Sequence, residues 1–134
     1  MTVVFDASAL IAYLRGERGA GVVESLLTGQ GNELYVHALN LCEVYYDFLR
    51  ALNEDSAEEA ITDVLILGIR ERNDMTPEFW RTAGRLKAEY RRVSLADCCA
   101  LALTIHLDAT LVTADRHEQE PLVSKSICPM QFVR

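Results

Sequence analysis

The sequence is poor in the residues that interrupt or staple a chain. With 3 prolines and 7 glycines in 134 residues, it has no room for long linkers or low-complexity tails. No apolar run approaches the roughly 20 residues of a membrane-spanning helix. The short VVF run has no basic residue before it, so neither a membrane span nor a secretory leader is expected. The 4 cysteines, Cys42, Cys98, Cys99 and Cys128, lack the spacing of a metal site, and two are adjacent. They read as buried free thiols of a cytoplasmic protein. The 3 histidines, His37, His106 and His117, show no zinc-like spacing either. Lysine is scarce as well, since 11 of the 13 basic residues are arginine.

What remains is a chain with 50% hydrophobic residues, enough for one sizeable core, and it reads as a single domain over residues 1–134. The net charge of −7 argues against non-specific nucleic-acid binding by the whole surface. The basic residues are nonetheless uneven, with five of the 13 in EFWRTAGRLKAEYRR, residues 78–92. Arginine suits bidentate phosphate contacts, so this segment is a candidate for holding a nucleic-acid backbone; a solvated helix face is the plainer alternative.

Strand-like and helix-like patterns alternate along the chain. TVVFD reads as a short buried strand feeding the helix SALIAYLR, and a glycine-rich turn leads to a second helix, VVESLLT. ELYVHAL reads as a strand entering NLCEVYYDFLRALN, whose apolar stripe is Leu41, Tyr45, Phe48 and Leu52. SAEEAITDVLILGIRER reads as a helix turning to a short strand. Thr76-Pro77-Glu78 is a helix-start signal, and SLADCCALALTIHL is apolar almost all round, as a central helix would be. ATLVTAD and SICPMQFV are the last candidate strands. The alternation predicts an α/β fold, a three-layer α/β/α sandwich around a mostly parallel sheet. Leu10, Ile11, Tyr13 and Leu14 with Val22, Val23 and Leu26 exceed one buried face, so part of this surface is expected to meet a second copy or a partner helix.

The acids carry the chemistry. In VVFDASALIAYL, Asp6 stands inside an apolar run, and a buried carboxylate must be capped, paired, solvated or bound to a cation. Asp6 and Asp115 both end predicted strands, while Glu43 and Asp97 fall in the first turns of helices. In an open parallel sheet the crevice beyond the strand C-termini is where ligands bind. Four carboxylates converging there would suit a hard divalent cation. Each also has a local explanation, since Asn40-x-x-Glu43 and Ser94-x-x-Asp97 have the form of capping boxes and Asp6 is placed to cap a helix. Ser8 and Thr113, two residues from Asp6 and Asp115, are positioned to hold a carboxylate or a water, or are ordinary hydroxyls at element ends.

The stretches VVFDASALIAYL, NLCE, SLADCCALA and LVTAD, in that order, resemble the PIN-domain nucleases, and among them the toxins of bacterial toxin–antitoxin pairs. The resemblance spans essentially the whole chain. It implies an acidic pocket binding Mg²⁺ or Mn²⁺, with Asp6, Glu43, Asp97 and Asp115 on the family's acidic positions. It further implies endoribonuclease activity, an RNA substrate, a cognate antitoxin and a homodimer. The last motif departs from the pattern: many members carry an acid and then a phenylalanine, whereas here the run is RHEQEP, in which Glu118 is the available acid. Two alternatives stand beside this reading. An aspartyl-phosphate phosphatase or receiver domain also places an acid after its first strand, although the second aspartate of such phosphatases is replaced here by Ser8. The other alternative is an inactive PIN-like binding module.

Overall fold

The computed structural model describes all 134 residues. Its elements run β1 (Thr2–Phe5), α1 (Ala7–Leu14), α2 (Ala20–Thr28), β2 (Glu33–His37), α3 (Ala38–Ala51), α4 (Glu54–Ile66), β3 (Arg70–Arg72), α5 (Pro77–Glu89), α6 (Leu95–His106), β4 (Thr110–Thr113), α7 (Arg116–Val123) and β5 (Met130–Phe132). The five strands form one sheet in the order β3-β2-β1-β4-β5, and every pairing is parallel. No helix is long and apolar enough to cross a membrane.

Strand alternation divides the core into two layers. Val3 and Phe5 of β1 pack with Leu34, Val36 and Val112 against the buried side chains of α1 to α4. Val4 and Leu111 face the other way, into a second cluster with Phe79, Leu86, Leu101, Leu103 and Leu122 from α5, α6 and α7. Both faces of the sheet are therefore covered, as a fully parallel sheet requires. The α/β/α sandwich expected from the sequence is the fold observed. Because β1 connects outward to β2 on one side and pairs with β4 on the other, the strand order reverses between β1 and β4.

Local signals explain most of the element ends. Asp6 caps α1, its side chain accepting from the Ala9 amide, and Thr76 caps α5 with Pro77 in the first turn. Three expectations are corrected, and one segment gains an element. Helix α3 starts at Ala38, capped by the His37 side chain rather than by Asn40, so Glu43 lies in its second turn. Leu52 is 64% exposed and does not extend the apolar stripe of α3. Cys42 is an exposed thiol, although Cys98 and Cys99 are buried and all four are free. RHEQEP, given no element from the sequence, opens α7 even though Pro121 lies inside that helix. Of the apolar residues expected to exceed the core, Leu10, Val23 and Leu26 are buried, while Ile11, Tyr13, Leu14 and Val22 are partly buried and pack against it.

The turn between α1 and α2 is locked to the last strand. Gly19 has φ +99°, and a Cβ there would lie 2.8 Å from both the Cγ2 and the carbonyl oxygen of Val133. Gly16 has φ +63° with nothing within 4 Å of its Cβ position. Gly16→Ala should therefore cost only about 1 kcal/mol, the penalty of a left-handed conformation. Gly19→Ala adds a backbone clash and should cost roughly 2 kcal/mol or more, measured by urea unfolding. Equal losses in the two variants would mean the close approach to Val133 has no energetic weight.

Candidate metal centre

Five carboxylates gather where β1 and β4 end. Asp6 follows β1 and is 1% exposed. Its Oδ1 accepts from the Ser8 hydroxyl at 2.7 Å and the Ala9 amide at 3.0 Å, but its buried Oδ2 has no hydrogen-bond partner. Asp115 follows β4 and caps α7, its Oδ1 accepting from the Glu118 amide at 3.0 Å. Asp97 is in the first turn of α6, its amide donating to the Ser94 side chain at 3.1 Å. Side-chain oxygens of Asp97, Asp115 and Glu118 all lie within 4.8 Å of one another. Asp6 and Glu43 flank this trio closely enough that the charge of each raises the pKa of Asp97.

Hydroxyls and one amide join the elements that carry the acids. Ser8 Oγ accepts from the Ala114 amide at 2.9 Å and lies 3.2 Å from Thr113 Oγ1, which in turn accepts from the Asp115 amide at 3.0 Å. Ser8 thus ties the start of α1 to the end of β4. Asn40, which the sequence presented as a cap, is fully buried inside α3. Its Oδ1 accepts from the Ala7 amide at 3.2 Å and its Nδ2 donates to the Ala96 carbonyl at 3.3 Å. One side chain therefore links the residue after Asp6 to the residue before Asp97. Its polar neighbours made it look like a cap; only the tertiary packing of α1, α3 and α6 shows otherwise.

Crowding and burial leave a clear electrostatic mark. Burial pushes the Asp6 pKa from 3.8 up to about 6; the Asp115 charge adds to the rise, and the Thr113 hydroxyl, Ala9 amide and Ser8 hydroxyl oppose it. Asp97 also rises to about 6, through burial first and then the charges of Asp6 and Glu43. Burial likewise raises Glu118 to about 7, helped by its hydrogen bond with Asp97 and by the Asp115 charge. Glu43 is raised by burial and by the Glu118 charge. Oxygen donors of this number, with a buried carboxylate oxygen left unpartnered, fit a hard divalent cation. Asp97, Asp115 and Glu118 could hold it between them, with Asp6 and Glu43 alongside. The sequence raised Glu118 only as a possible substitute for a missing motif acid, whereas the fold puts it in the closest trio.

Comparisons with known proteins give the family and the fold. Residues 3–120 match the PIN domain, and the chain belongs to the PIN-domain family, a family of nucleases. No curated protein matches the sequence. The fold is similar to VapBC2 from Rickettsia felis, solved bound to a DNA fragment from its promoter, with TM-score 0.74, 15% identity and 98% of each chain covered. It is similar to VapBC-1 from nontypeable Haemophilus influenzae, with TM-score 0.70, 18% identity, and 99% of this chain and 98% of that one covered. It is also similar to the Mycobacterium tuberculosis VapC20, described as a sarcin–ricin loop cleaving toxin, with TM-score 0.71, 14% identity, and 89% and 94% covered.

The geometry sets how stability should respond to pH, to substitution and to metal. Below pH 3.8 the acids are protonated whether the chain is folded or not. Between there and about 6 to 7 the folded chain holds more protons than the unfolded one, so stability should fall as pH rises through this window. For Asp6, ionised at neutral pH against a folded value of about 6, the cost is about 3 kcal/mol. Asp97→Asn should raise the stability of the metal-free protein at pH 7 by about 1–2 kcal/mol, reduced because the residue is partly exposed. Mn²⁺ should raise Tm at pH 7 more than Na⁺ of equal ionic strength, and less so in that variant. A destabilised Asp97→Asn with no Mn²⁺ response would make these acids helix caps and nothing more. Asn40→Ala should cost about 2–4 kcal/mol in urea unfolding, because it strands the Ala7 amide and the Ala96 carbonyl. It should also shrink the Mn²⁺-induced rise in Tm; an unchanged metal response would confine Asn40 to a packing role.

Proposed function

We propose that this protein is a metal-dependent endoribonuclease that acts as the toxin of a toxin–antitoxin pair. The observation that carries the proposal is the convergence of five carboxylates at the switch point of a parallel sheet, one of them buried with a free oxygen. The similar structures are toxin–antitoxin assemblies and a toxin that cleaves the sarcin–ricin loop, which supports RNA as substrate and an antitoxin as partner. Ile11, Tyr13, Leu14 and Val22, partly exposed on α1 and α2, offer surface for an antitoxin helix or a second copy.

Bound among the carboxylates, Mg²⁺ or Mn²⁺ would supply charge neutralisation and Lewis acidity toward the phosphodiester. The chain's own groups do the rest. Asp6, Asp97, Asp115 and Glu118 hold the ion by oxygen, and Glu43 completes the negative field around it. The Ser8 hydroxyl, fixed by the Ala114 amide, keeps the Asp6 carboxylate turned so that its Oδ2 stays available. In the metal-free chain burial, and after it the hydrogen bond with Asp97, keeps a proton on Glu118 up to about pH 7, and a bound ion would displace that proton. The aspartyl-phosphate alternative lacks support at Ser8, which binds Asp6 where a second acid would be needed. An inactive module is disfavoured by the retention of all five acids.

Purified alone, the protein should cleave RNA with Mg²⁺ or Mn²⁺ and stop on addition of a chelator. Asp6→Asn and Asp97→Asn should each lower the cleavage rate by about a hundredfold or more, the scale of losing an essential charged group, with the circular dichroism spectrum retained. Undiminished cleavage in chelator, or in both variants, would reject the metal mechanism.

A further inference from the structure

The five basic residues between 78 and 92 have different surroundings. The Arg81 guanidinium lies over the Trp80 ring, 4.6 Å from its centre. Lys87 Nζ donates to the carbonyls of Arg91 and Val93, each at 2.8 Å, and so fixes the turn between α5 and α6. On that fixed turn Arg91 and Arg92 are exposed, and neither takes part in any of the chain's ion pairs. Both line a cleft of about 550 Å³ whose opposite wall is α7, with His117 and Glu118. Glu118 belongs to the trio of crowded acids, so the cleft and the candidate metal centre share a residue. Tyr90, Val93, Pro121 and Leu122 supply an apolar lining, and Glu89 stands on the same side as the arginines.

We propose that this cleft is the subsite for one unpaired nucleotide of the RNA, next to the phosphate that is cut. This rests on the nuclease reading. Arg91 and Arg92 hold backbone phosphate, and the Tyr90 side of the cleft receives the base. Guanidinium groups bind phosphate bidentately, and a base can lie against a ring or apolar wall only when it is unstacked. Two unpaired arginines beside a cluster of acids on a chain of net charge −7 also offset the repulsion that an approaching polyanion meets. A protein segment would satisfy both guanidiniums only where it carries carboxylates, whereas every nucleotide of RNA carries a phosphate, so RNA fits the charge better.

The test is fluorescence anisotropy of a labelled single-stranded RNA of about ten nucleotides with the full chain in Ca²⁺, paired with cleavage kinetics in Mg²⁺. Arg91→Ala/Arg92→Ala should weaken binding about tenfold or more and reduce the salt slope by about 1.4, the loss of two single-strand phosphate contacts. It should raise KM far more than it lowers kcat. Arg81→Ala/Arg85→Ala removes the same charge outside the cleft and should weaken binding less than about threefold. Duplex RNA should bind more weakly than the single strand. Equal effects of the two double variants, or equal binding of duplex, would overturn the subsite. So would loss of a protein partner's binding with RNA binding intact, which would make the cleft a peptide site. If the unmodified chain cleaves RNA while both double variants behave alike, the subsite alone fails; if it neither binds nor cleaves RNA, the nuclease reading fails and takes the subsite with it.

Discussion

Asp6 imposes the constraint on which the site depends. It is a carboxylate at the end of the central strand, almost without solvent, with one oxygen bonded and the other bare. A group of this kind is stable only where fixed dipoles or a cation answer its charge. The surrounding structure supplies the dipoles. The Ala9 amide and Ser8 hydroxyl meet Oδ1, and Ser8 is itself fixed from the far side by β4 through Ala114. What no protein group supplies is a partner for Oδ2, and that deficit lies at the β1–β4 switch point, where the other acids face it.

Capping and metal binding, which compete as explanations along the sequence, are compatible in the fold. Asp6 and Asp115 each cap a helix through Oδ1 alone, which fixes the carboxylate while leaving its second oxygen uncommitted by the cap. Asp97 is held at the start of α6 by its backbone amide, which donates to the Ser94 hydroxyl. Three helix N-termini therefore converge on the acids, and their partial positive charge tempers a repulsion that would otherwise push the elements apart. A cap aims a ligand here.

The features legible in the sequence were those written in local pattern. Strand-then-acid punctuation located Asp6 and Asp115, the Thr76-Pro77 start located α5, and the nearly uniform apolarity of the segment after Ser94 located α6. The features that escaped depend on what packs against what. Asn40 lies three residues before an acid, which is the signature of a capping box, yet it is buried as a bridge between α1 and α6. Glu118 sits in a polar run interrupted by Pro121, so neither its helix nor its inward direction had a periodic signal. Lys87 looks like one more exposed cation until its amine is found on two carbonyls of the following turn.

The raised proton affinities and the topology are two consequences of one arrangement. Spread over flexible loops, the same acids would separate and relax toward ordinary values, and a cation would have to gather them again at an entropic cost. Attached to the central strand pair and to helix N-termini that Ser8 and Asn40 fasten together, they cannot separate. The repulsion is therefore carried by the native state as reduced stability at neutral pH, and binding a cation recovers it. A site built this way would take up an ion without reorganising, and its strain belongs to the rigid centre of the sheet because only a rigid centre can hold it.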